Sequence, residues 1–388
     1  MAETTSSDAF LNGEGIPVDL HNIETELVRL WGPAAERAGG PDLESPHVTR
    51  VVLANLVVQG RERHTGGLGA VLDEVTARYP SRTIVMRRTD DPARTINAEV
   101  SALCYIPAPG LPQVCSERIV LQAGPQATDL LPGAVRPLLE ADLPFVLWWT
   151  DDPRHDESLF RDLAGECSRL ILDLPDPGTD PAALRLGLDP KLGAHSRDTA
   201  WFGLTRWREL VAQFFDPPCS QPGTLARIDS LRIEAVASST ERPPRLALWL
   251  TAWLAGQLGW QPIGHPESSP GRFHARFHGP AGEIPVEIVT EVEAGTKTGH
   301  ARPHAGLRAI TLTTRGPDGA ETFHLERPTA DSAEVRIKIN SGSYCNLPRV
   351  VRSPELDPAR RVSAGLEASR NDPTFDHALP HLFWLMEG

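Results

Sequence analysis

In the first half of the chain, short continuous apolar runs alternate with stretches whose apolar residues recur every three or four positions. The runs are Thr49–Val58, Ser81–Met86, Ala98–Ile106, Val114–Leu121, Leu143–Thr150 and Arg169–Leu174. They are bounded by turn-forming residues, are rich in β-branched side chains, and read as strands. Between them Asp19–Trp31, Gly66–Tyr79, Asp129–Ala141 and Glu157–Cys167 carry apolar stripes at helical spacing. Alternation of strand and helix predicts an α/β sheet with helices on both faces. A Pro/Gly loop, Pro107–Pro112, joins two of the strands, so they read as a hairpin and the sheet as mixed.

Leu143–Thr150 organises this half. Successive side chains of a strand point to opposite faces, so Trp148 and Trp149 cannot share one pocket. The run predicts a central strand, either covered on both sides by the chain's own helices or with one face meeting a partner. A cover for one side is offered by a second tryptophan-rich element, Trp201–Asp216, which follows the polar stretch Pro175–Asp198. Thr205 can cap a helix from Arg206, and at ~100° per residue Trp207, Leu210, Val211, Phe214 and Phe215 share one arc.

Asp216–Gly223 is rich in proline and marks a boundary. Beyond it come a strand, Leu231–Val236, an apolar helix, Leu246–Leu258, and five alternating strands: Arg272–His278, Ile284–Val292, Leu307–Thr314, Thr322–Leu325 and Glu334–Ile339. Strands in series with few helices predict antiparallel pairing. Asp376–Met386 reads as an apolar helical segment interrupted by Pro380. The expected fold is therefore α/β: an N-terminal Rossmann-like mixed sheet with helices on both faces, followed by an α+β domain with an antiparallel sheet. The expected division is a disordered N-terminus (1–18), an α/β domain (19–218) and an α+β domain (219–388).

Charge narrows the partners. With 38 Lys and Arg against 51 Asp and Glu the net charge is −13, which weighs against nucleic acid or an anionic membrane as the principal partner. Met1–Ile16 lacks the basic start and apolar core of a secretory leader, and no apolar run approaches ~20 residues. Five scattered cysteines fit a reducing compartment. The expected location is the cytoplasm.

No catalytic constellation stands out. Gly67-Leu68-Gly69 before a helix resembles a dinucleotide fingerprint without its third glycine or its tight turn, and Arg87 and Arg88 end the next strand. The pairs His274/His278, His300/His304 and His377/His381 lie on strands, in a loop or around a proline. They read as surface histidines, and no metal site is expected. Asp151 and Asp152 follow the Trp148-Trp149 strand at the end where α/β sites lie, although Pro153 suits a turn and helix start. Cys104 and Cys115 are symmetric about Pro109-Gly110, and a regular hairpin sets them opposite each other at a Cβ separation of ~4.5–5.5 Å. A redox-sensitive pair and two free buried thiols both remain open. Arg349, Arg352, Arg360 and Arg361 form a basic run that could hold a phosphate or an acidic partner surface, or be a solvated loop.

Four stretches together carry a resemblance. They are Tyr79-Pro80-Ser81-Arg82-Thr83-Ile84-Val85, Arg136-Pro137-Leu138-Leu139, Leu143-Pro144-Phe145-Val146-Leu147-Trp148-Trp149 and Ala200-Trp201-Phe202-Gly203-Leu204-Thr205-Arg206-Trp207-Arg208-Glu209-Leu210. In this order they resemble the glucose-6-phosphate dehydrogenase assembly protein family (OpcA), with Arg206 departing from an expected proline. The tail beyond Leu231 matches less closely, and the family's own division of the chain falls earlier, near Pro153. The resemblance implies a non-catalytic accessory protein, with no cofactor, that promotes oligomeric assembly and allosteric activation of glucose-6-phosphate dehydrogenase. In some members the effect is redox-linked. Aromatic and arginine side chains dominate contact hot spots, so Trp201, Phe202, Trp207 and Arg208 are interface candidates, together with Asp151 and Asp152 on the turn after the strand. The competing expectations are an NADP-binding Rossmann-like enzyme using Gly67–Gly69 and Arg87, and a sugar-phosphate sensor using the arginine run.

Overall fold

The computed structural model describes residues 13–38, 48–61, 68–106, 113–175, 180–193, 195–216, 220, 222–292, 306–316, 319–329, 332–340 and 349–388, with only the backbone of 32–38, 48 and 61. The chain forms two compact units. One comprises Met1–Leu174, Leu186–Thr199 and Asp357–Ala368; the other comprises Pro175–Arg185, Ala200–Leu356 and Ser369–Gly388.

The first unit holds β1 (Ile16–Val18), β2 (Val48–Arg50), β3 (Asn55–Arg61), β4 (Arg82–Arg88), β5 (Ile96–Tyr105), β6 (Gln113–Ala123), β7 (Phe145–Trp149), β8 (Arg169–Leu172) and β9 (His195–Asp198). They form one sheet in the order β1-β5-β6-β4-β3-β7-β8-β9, with β2 beside the start of β6. The run from β6 to β9 is parallel throughout, whereas β5 pairs antiparallel with β6. Counted along the chain, the parallel strands follow the 3-2-1-4-5-6 order of a dinucleotide-binding fold. The sheet is the expected mixed, Rossmann-like one.

Every side chain of β7 is buried. Trp148 packs with Leu56, Val58, Leu72, Val75, Val362 and Leu366 on one face. Trp149 meets Phe160 edge-on at 5.0 Å on the other. The opposite-face expectation holds, but the covers differ from the one foreseen. The first face is closed by the helices Leu68–Arg78 and Pro358–Glu367, the second by Glu157–Glu166. The tryptophan helix lies in the other unit. The entry to β7 is fixed by Asn55, whose amide donates to the Glu140 and Leu143 carbonyls (2.9 and 3.3 Å) and accepts from the Glu140 N–H (2.8 Å).

At the same end of the sheet lies a buried ionic cluster. Glu117, fully buried, accepts from Arg50 (3.1 and 2.9 Å), from the Trp31 indole (3.0 Å) and, in close contact, from Arg82. Arg82 is buried too, and also reaches Glu24 and Glu140. Burial alone would raise the Glu117 carboxyl. The hydrogen bond from Arg50 and the charges of Arg82 and Arg50 outweigh it and hold the group below its ordinary range. The cluster ties β2, β4 and β6 to the helix Ile23–Ala38.

Three further expectations need correction. Ile16–Val18 is not disordered: it pairs with Ala98–Val100. The predicted helix Asp129–Ala141 shortens to Leu131–Val135 between tight turns, with Pro132 and Pro137 setting its limits. The stretch Pro175–Asp198 contains the edge strand β9, whose sequence His-Ser-Arg-Asp carries no strand signal.

The second unit is built on β10 (Ile228–Ala237), β11 (Gln261–Pro262), β12 (Glu267–Ser269), β13 (Arg272–Gly279), β14 (Gly282–Val292), β15 (Gly306–Gly316), β16 (Gly319–Glu326), β17 (Glu334–Asn340) and β18 (Arg349–Arg352). Their order is β11-β13-β14-β10-β15-β16-β17-β18, with β12 also beside β13. All pairs are antiparallel except β10 with β14, so this unit is α+β as expected. Side chains alternate strictly between covered and open faces along β13. The helices Arg245–Leu258 and Pro373–Leu385 pack together, joined by Trp249 and Phe375 at 4.9 Å. Gly256 allows their close approach, since a Cβ there would stand 2.5 Å from the His377 carbonyl oxygen. Pro380 lies inside the second helix and does not interrupt it.

The units divide at Leu174 and Thr199, not near Pro218. The helix Thr205–Ala212 and the turn after it belong with the second sheet, where Phe214 and Phe215 pack on Phe323 at 5.5 and 5.2 Å.

Candidate functional site

In a doubly wound sheet, ligands bind where the strand order reverses, at the carboxyl ends of the strands. Here that point lies between β3 and β7. Gln59 ends its row beside Trp149. Both are fully buried, and neither the Gln59 amide nor the Trp149 indole N–H has a hydrogen-bond partner. Thr150 donates to the Gln59 carbonyl (2.7 Å) and closes the strand end.

The acidic residues that follow are committed to local structure. Asp151 is buried, accepts from the Asp152 N–H (2.8 Å) and lies 3.3 Å from the His155 ring nitrogen. Asp152 caps the turn Pro153–Asp156, accepting from the Arg154 N–H (2.9 Å) and from its guanidinium (2.6 Å). The guanidinium hydrogen bond leads the interactions that hold the Asp152 carboxyl below its usual range. Asp156 is in close contact with Arg88. Arg88 is thus engaged by a carboxylate, while the fingerprint position Gly67 lies outside the described residues. Gly69 sits in the helix Leu68–Arg78.

The tryptophan element is mostly interior. Trp201, Phe202 and Trp207 are all buried. Trp201 donates to Asp372 (3.1 Å) and meets Trp249 and Phe375 edge-on at 5.2 and 5.3 Å. Thr205 is the first helical residue and not a cap: the preceding short helix Thr199–Gly203 supplies the carbonyl of Phe202, to which its hydroxyl donates at 2.9 Å. Arg208 is the partly exposed member of the set. Its guanidinium lies 3.6 Å above the Trp201 ring and donates to the Thr205 hydroxyl (3.3 Å). Burial pulls its pKa down to about 10. Its flat cation, stacked on an indole, keeps several N–H donors for an outside acceptor.

The arginine run does not form one patch on one unit. Arg349 and Arg352 lie in β18 of the second unit, three residues apart and so on opposite faces, with Arg349 donating to Gln213 (2.9 Å). Arg360 and Arg361 lie in the helix Pro358–Glu367 of the first unit, where Arg360 pairs with Asp357 at 3.2 Å. The segment Ser341–Asn346 falls outside the described residues.

Cys104 and Cys115 face each other in the hairpin register and are joined as a disulfide, with Cα atoms 4.1 Å apart. Cys115 is fully buried, whereas Cys104 lines a cavity of about 310 Å³ with Asp73, Thr76, Tyr105 and Arg118. The thiol of Cys167 is buried and pushed up to about 12 by desolvation, which makes it unreactive. Among the described residues no cluster of three metal-ligating side chains occurs, and no helix is long and apolar enough to cross a membrane. His300 and His304 fall outside those residues.

Two features escaped the sequence reading. The Glu117 cluster joins residues far apart in the chain and left no local signal. The open face of the second sheet did leave one, in the strict alternation of Arg272, His274, Arg276 and His278 with Phe273, Ala275 and Phe277.

Comparison with known proteins gives a consistent result. Residues 72–186 match the family described as glucose-6-phosphate dehydrogenase subunit N-terminal domain, and residues 194–379 match the corresponding C-terminal domain. A protein of Synechococcus elongatus, named "Putative OxPP cycle protein OpcA", is 33% identical over 171 residues, covering 43% of this chain and 38% of that protein. One of the same name from Nostoc punctiforme is 30% identical over 200 residues, covering 48% and 42%. The matches thus span about two fifths of these relatives' length. Among solved structures, glucose-6-phosphate 1-dehydrogenase from Mycobacterium avium aligns over 86% of this chain and 91% of that one, with 12% identity and a TM-score of 0.46. With both domain descriptions matched in order over most of its length, the chain belongs to the OpcA family of glucose-6-phosphate dehydrogenase assembly proteins.

Proposed function

We propose that this chain is a non-catalytic, cytoplasmic accessory protein that binds glucose-6-phosphate dehydrogenase, promotes its oligomeric assembly and activates it allosterically. The observation that carries this reading is the ordered match to both family domains. The strand-end geometry supports it: Asp151, Asp152, Asp156 and Arg88 are each engaged by a local partner. Activation follows if the chain binds the assembled, active form of the dehydrogenase more tightly than the inactive form, which shifts the population. Of the interface candidates, Arg208, Asp152 and the turn around Asp151 reach the surface of their units, and Trp201, Phe202 and Trp207 support Arg208 from within.

The test is to mix the pure protein with the dehydrogenase of the same organism and measure substrate dependence and sedimentation together. The expected result is a faster-sedimenting species with altered substrate dependence. No change in either would overturn the proposal.

A second reading, a dinucleotide-binding enzyme, is favoured by the strand order and by the unpartnered Gln59 at the switch point. The Arg88–Asp156 pair weighs against a 2′-phosphate site there. Titration with NADP, followed by tryptophan fluorescence, separates the two readings.

A further inference from the structure

In the first sheet β5 is an outer strand for part of its length. β1 pairs with Ala98–Val100 and goes no farther. Beyond it runs Ala102-Leu103-Cys104-Tyr105-Ile106, uncharged, free of proline and rich in strand formers. Proteins normally blunt such an edge with charges, prolines, bulges or a covering segment, because its unpaired N–H and C=O groups template another strand. Among the described residues no strand pairs with the outer side of Leu103–Ile106.

The hairpin register decides which backbone groups face outward. Cys104 lies opposite Cys115 with Cα atoms 4.1 Å apart, the narrow spacing of a pair that exchanges no hydrogen bonds. The Cys115 carbonyl accordingly points away from β5 and accepts from the Val51 N–H (2.9 Å). By the same rule the N–H and C=O of Cys104 point away from β6, to the open side. Val100 shares this phase and is the residue that β1 meets with Ile16. Cys104 therefore continues a row that β1 leaves unfinished.

The cavity of about 310 Å³ lies along this edge, lined by Asp73, Thr76, Leu103, Tyr105 and Arg118. Arg118 Nε is buried there without a hydrogen-bond partner, although Asp73, in close contact, already balances the guanidinium charge. A buried donor left unmet calls for an acceptor, and a neutral one, an amide or a hydroxyl, adds no unbalanced charge. In a strand added to this edge, the residue opposite Leu103 or Tyr105 projects to their side of the sheet, into the cavity. On the other side Ile106 is 59% exposed and offers an apolar contact.

Gly13 bars a second copy from the same edge. It stands beside Ala102, so that a Cβ built on it would lie 3.5 Å from the Ala102 carbonyl oxygen. Two-fold antiparallel pairing centred on Ala102, Leu103 or Cys104 sets Ala102 of each copy opposite Ala102, Cys104 or Ile106 of the other. That residue would need the place that Gly13 holds. A single extended segment can stop opposite Leu103, short of Gly13, whereas a whole β5 edge carrying its own Gly13 cannot.

We propose that the outer edge of β5 at Leu103–Ile106 receives an extended segment of the dehydrogenase, added in the direction of β1 as a further strand, with an amide or hydroxyl side chain in the cavity reaching Arg118; this inference rests on the accessory reading above. Hydrogen exchange on the full chain, alone and with the dehydrogenase, reads the backbone directly. The Cys104 amide should exchange freely in the free chain and at least ~10-fold more slowly in the complex. Two variants test the contacts. Ile106→Pro removes the N–H two residues past Cys104 and leaves the disulfide intact, and Tyr105→Glu sets a carboxylate where the partner's acceptor enters. Each should weaken binding about 10-fold in sedimentation, with melting and circular dichroism reporting that it folds. Exposed Arg161→Glu in the same unit is the control and should bind as wild type.

If wild type binds but its Cys104 amide exchanges as in the free chain, the edge is overturned while the accessory reading stands; this outcome is read without any variant. If the amide is protected in the free chain at every concentration, the chain fills the edge itself and the proposal fails. Protection that grows with concentration makes the occupant a second copy, and the proposal fails again. If wild type neither binds nor alters the dehydrogenase, both readings fall.

Discussion

Glu117→Gln tests the physical account of the first unit most directly. The wild-type carboxylate is fully buried and accepts from Arg50, Arg82 and Trp31. Glutamine keeps the shape but removes the charge, and turns an amide N–H₂ toward guanidinium donors. Breaking a buried ion pair costs about 3–5 kcal/mol, because the surviving ion stays buried. Arg82 keeps Glu24 and Glu140, which are about half exposed, so the expected loss is near the lower limit, ~3 kcal/mol. In a unit of this size that lowers the melting midpoint by roughly 6–12 °C. Calorimetry, with Trp31 fluorescence to identify the transition, measures it. The pH dependence is a second check. The folded carboxyl lies below its ordinary value of 4.5, so its stabilisation is present above that pH and is lost as pH falls through the folded pKa. The variant should therefore lose less stability on acidification than wild type. A loss under ~1 kcal/mol at neutral pH, or equal acid sensitivity, would refute the reasoning. Glu140→Gln, at the exposed rim of the cluster, should cost less than about 1 kcal/mol.

The remaining predictions concern the hairpin, the tryptophan strand and Arg208. Replacing both Cys104 and Cys115 by alanine releases a closed hairpin of sequence separation 11, and should cost ~3 kcal/mol in an oxidising buffer. A dithiol, itself oxidised to a disulfide, should bring wild type to the same melting point; if dithiol leaves wild-type melting unchanged, the pair is not a redox-sensitive link. Trp148→Ala and Trp149→Ala should each cost about 3–5 kcal/mol through separate cavities on opposite faces, so the double variant should be close to additive in denaturant unfolding. Arg208→Met keeps the stem over Trp201 and drops the cation. Melting should move by no more than ~2 kcal/mol, while affinity for the dehydrogenase falls if Arg208 is a contact; unchanged affinity in a sedimentation titration would remove it from the interface.

What the sequence determined by itself is the local grammar. β7 is legible because five apolar residues between Pro144 and Thr150 admit only a buried strand, and the two-residue period then separates Trp148 from Trp149. The β5–β6 hairpin and the Cys104–Cys115 register follow from symmetry about Pro109-Gly110. Rossmann-like α/β in the first half and α+β in the second follow from the alternation of periods. The site was less legible. Arg208 and the turn at Asp151–Asp152 are visible as residue types, but whether a tryptophan is interior or a contact surface depends on what packs over it. That is why Trp201, Phe202 and Trp207 could be read as interface from sequence and are buried in the fold.

Tertiary structure decided the rest, for one physical reason: long-range contacts are not encoded in any local period. Pro358–Glu367 returns from near the C-terminus to cover Trp148, a role its own sequence does not announce. β9 is a strand because β8 offers an open parallel edge, although His-Ser-Arg-Asp has little strand propensity. Glu117 finds Arg50 and Arg82 only once three strands converge. The arginine run, contiguous on paper, divides between two units because the chain crosses from one to the other at Asp357. Alternation along single strands could be read in advance, but the assembly of their polar sides into one open face required the register of the whole sheet.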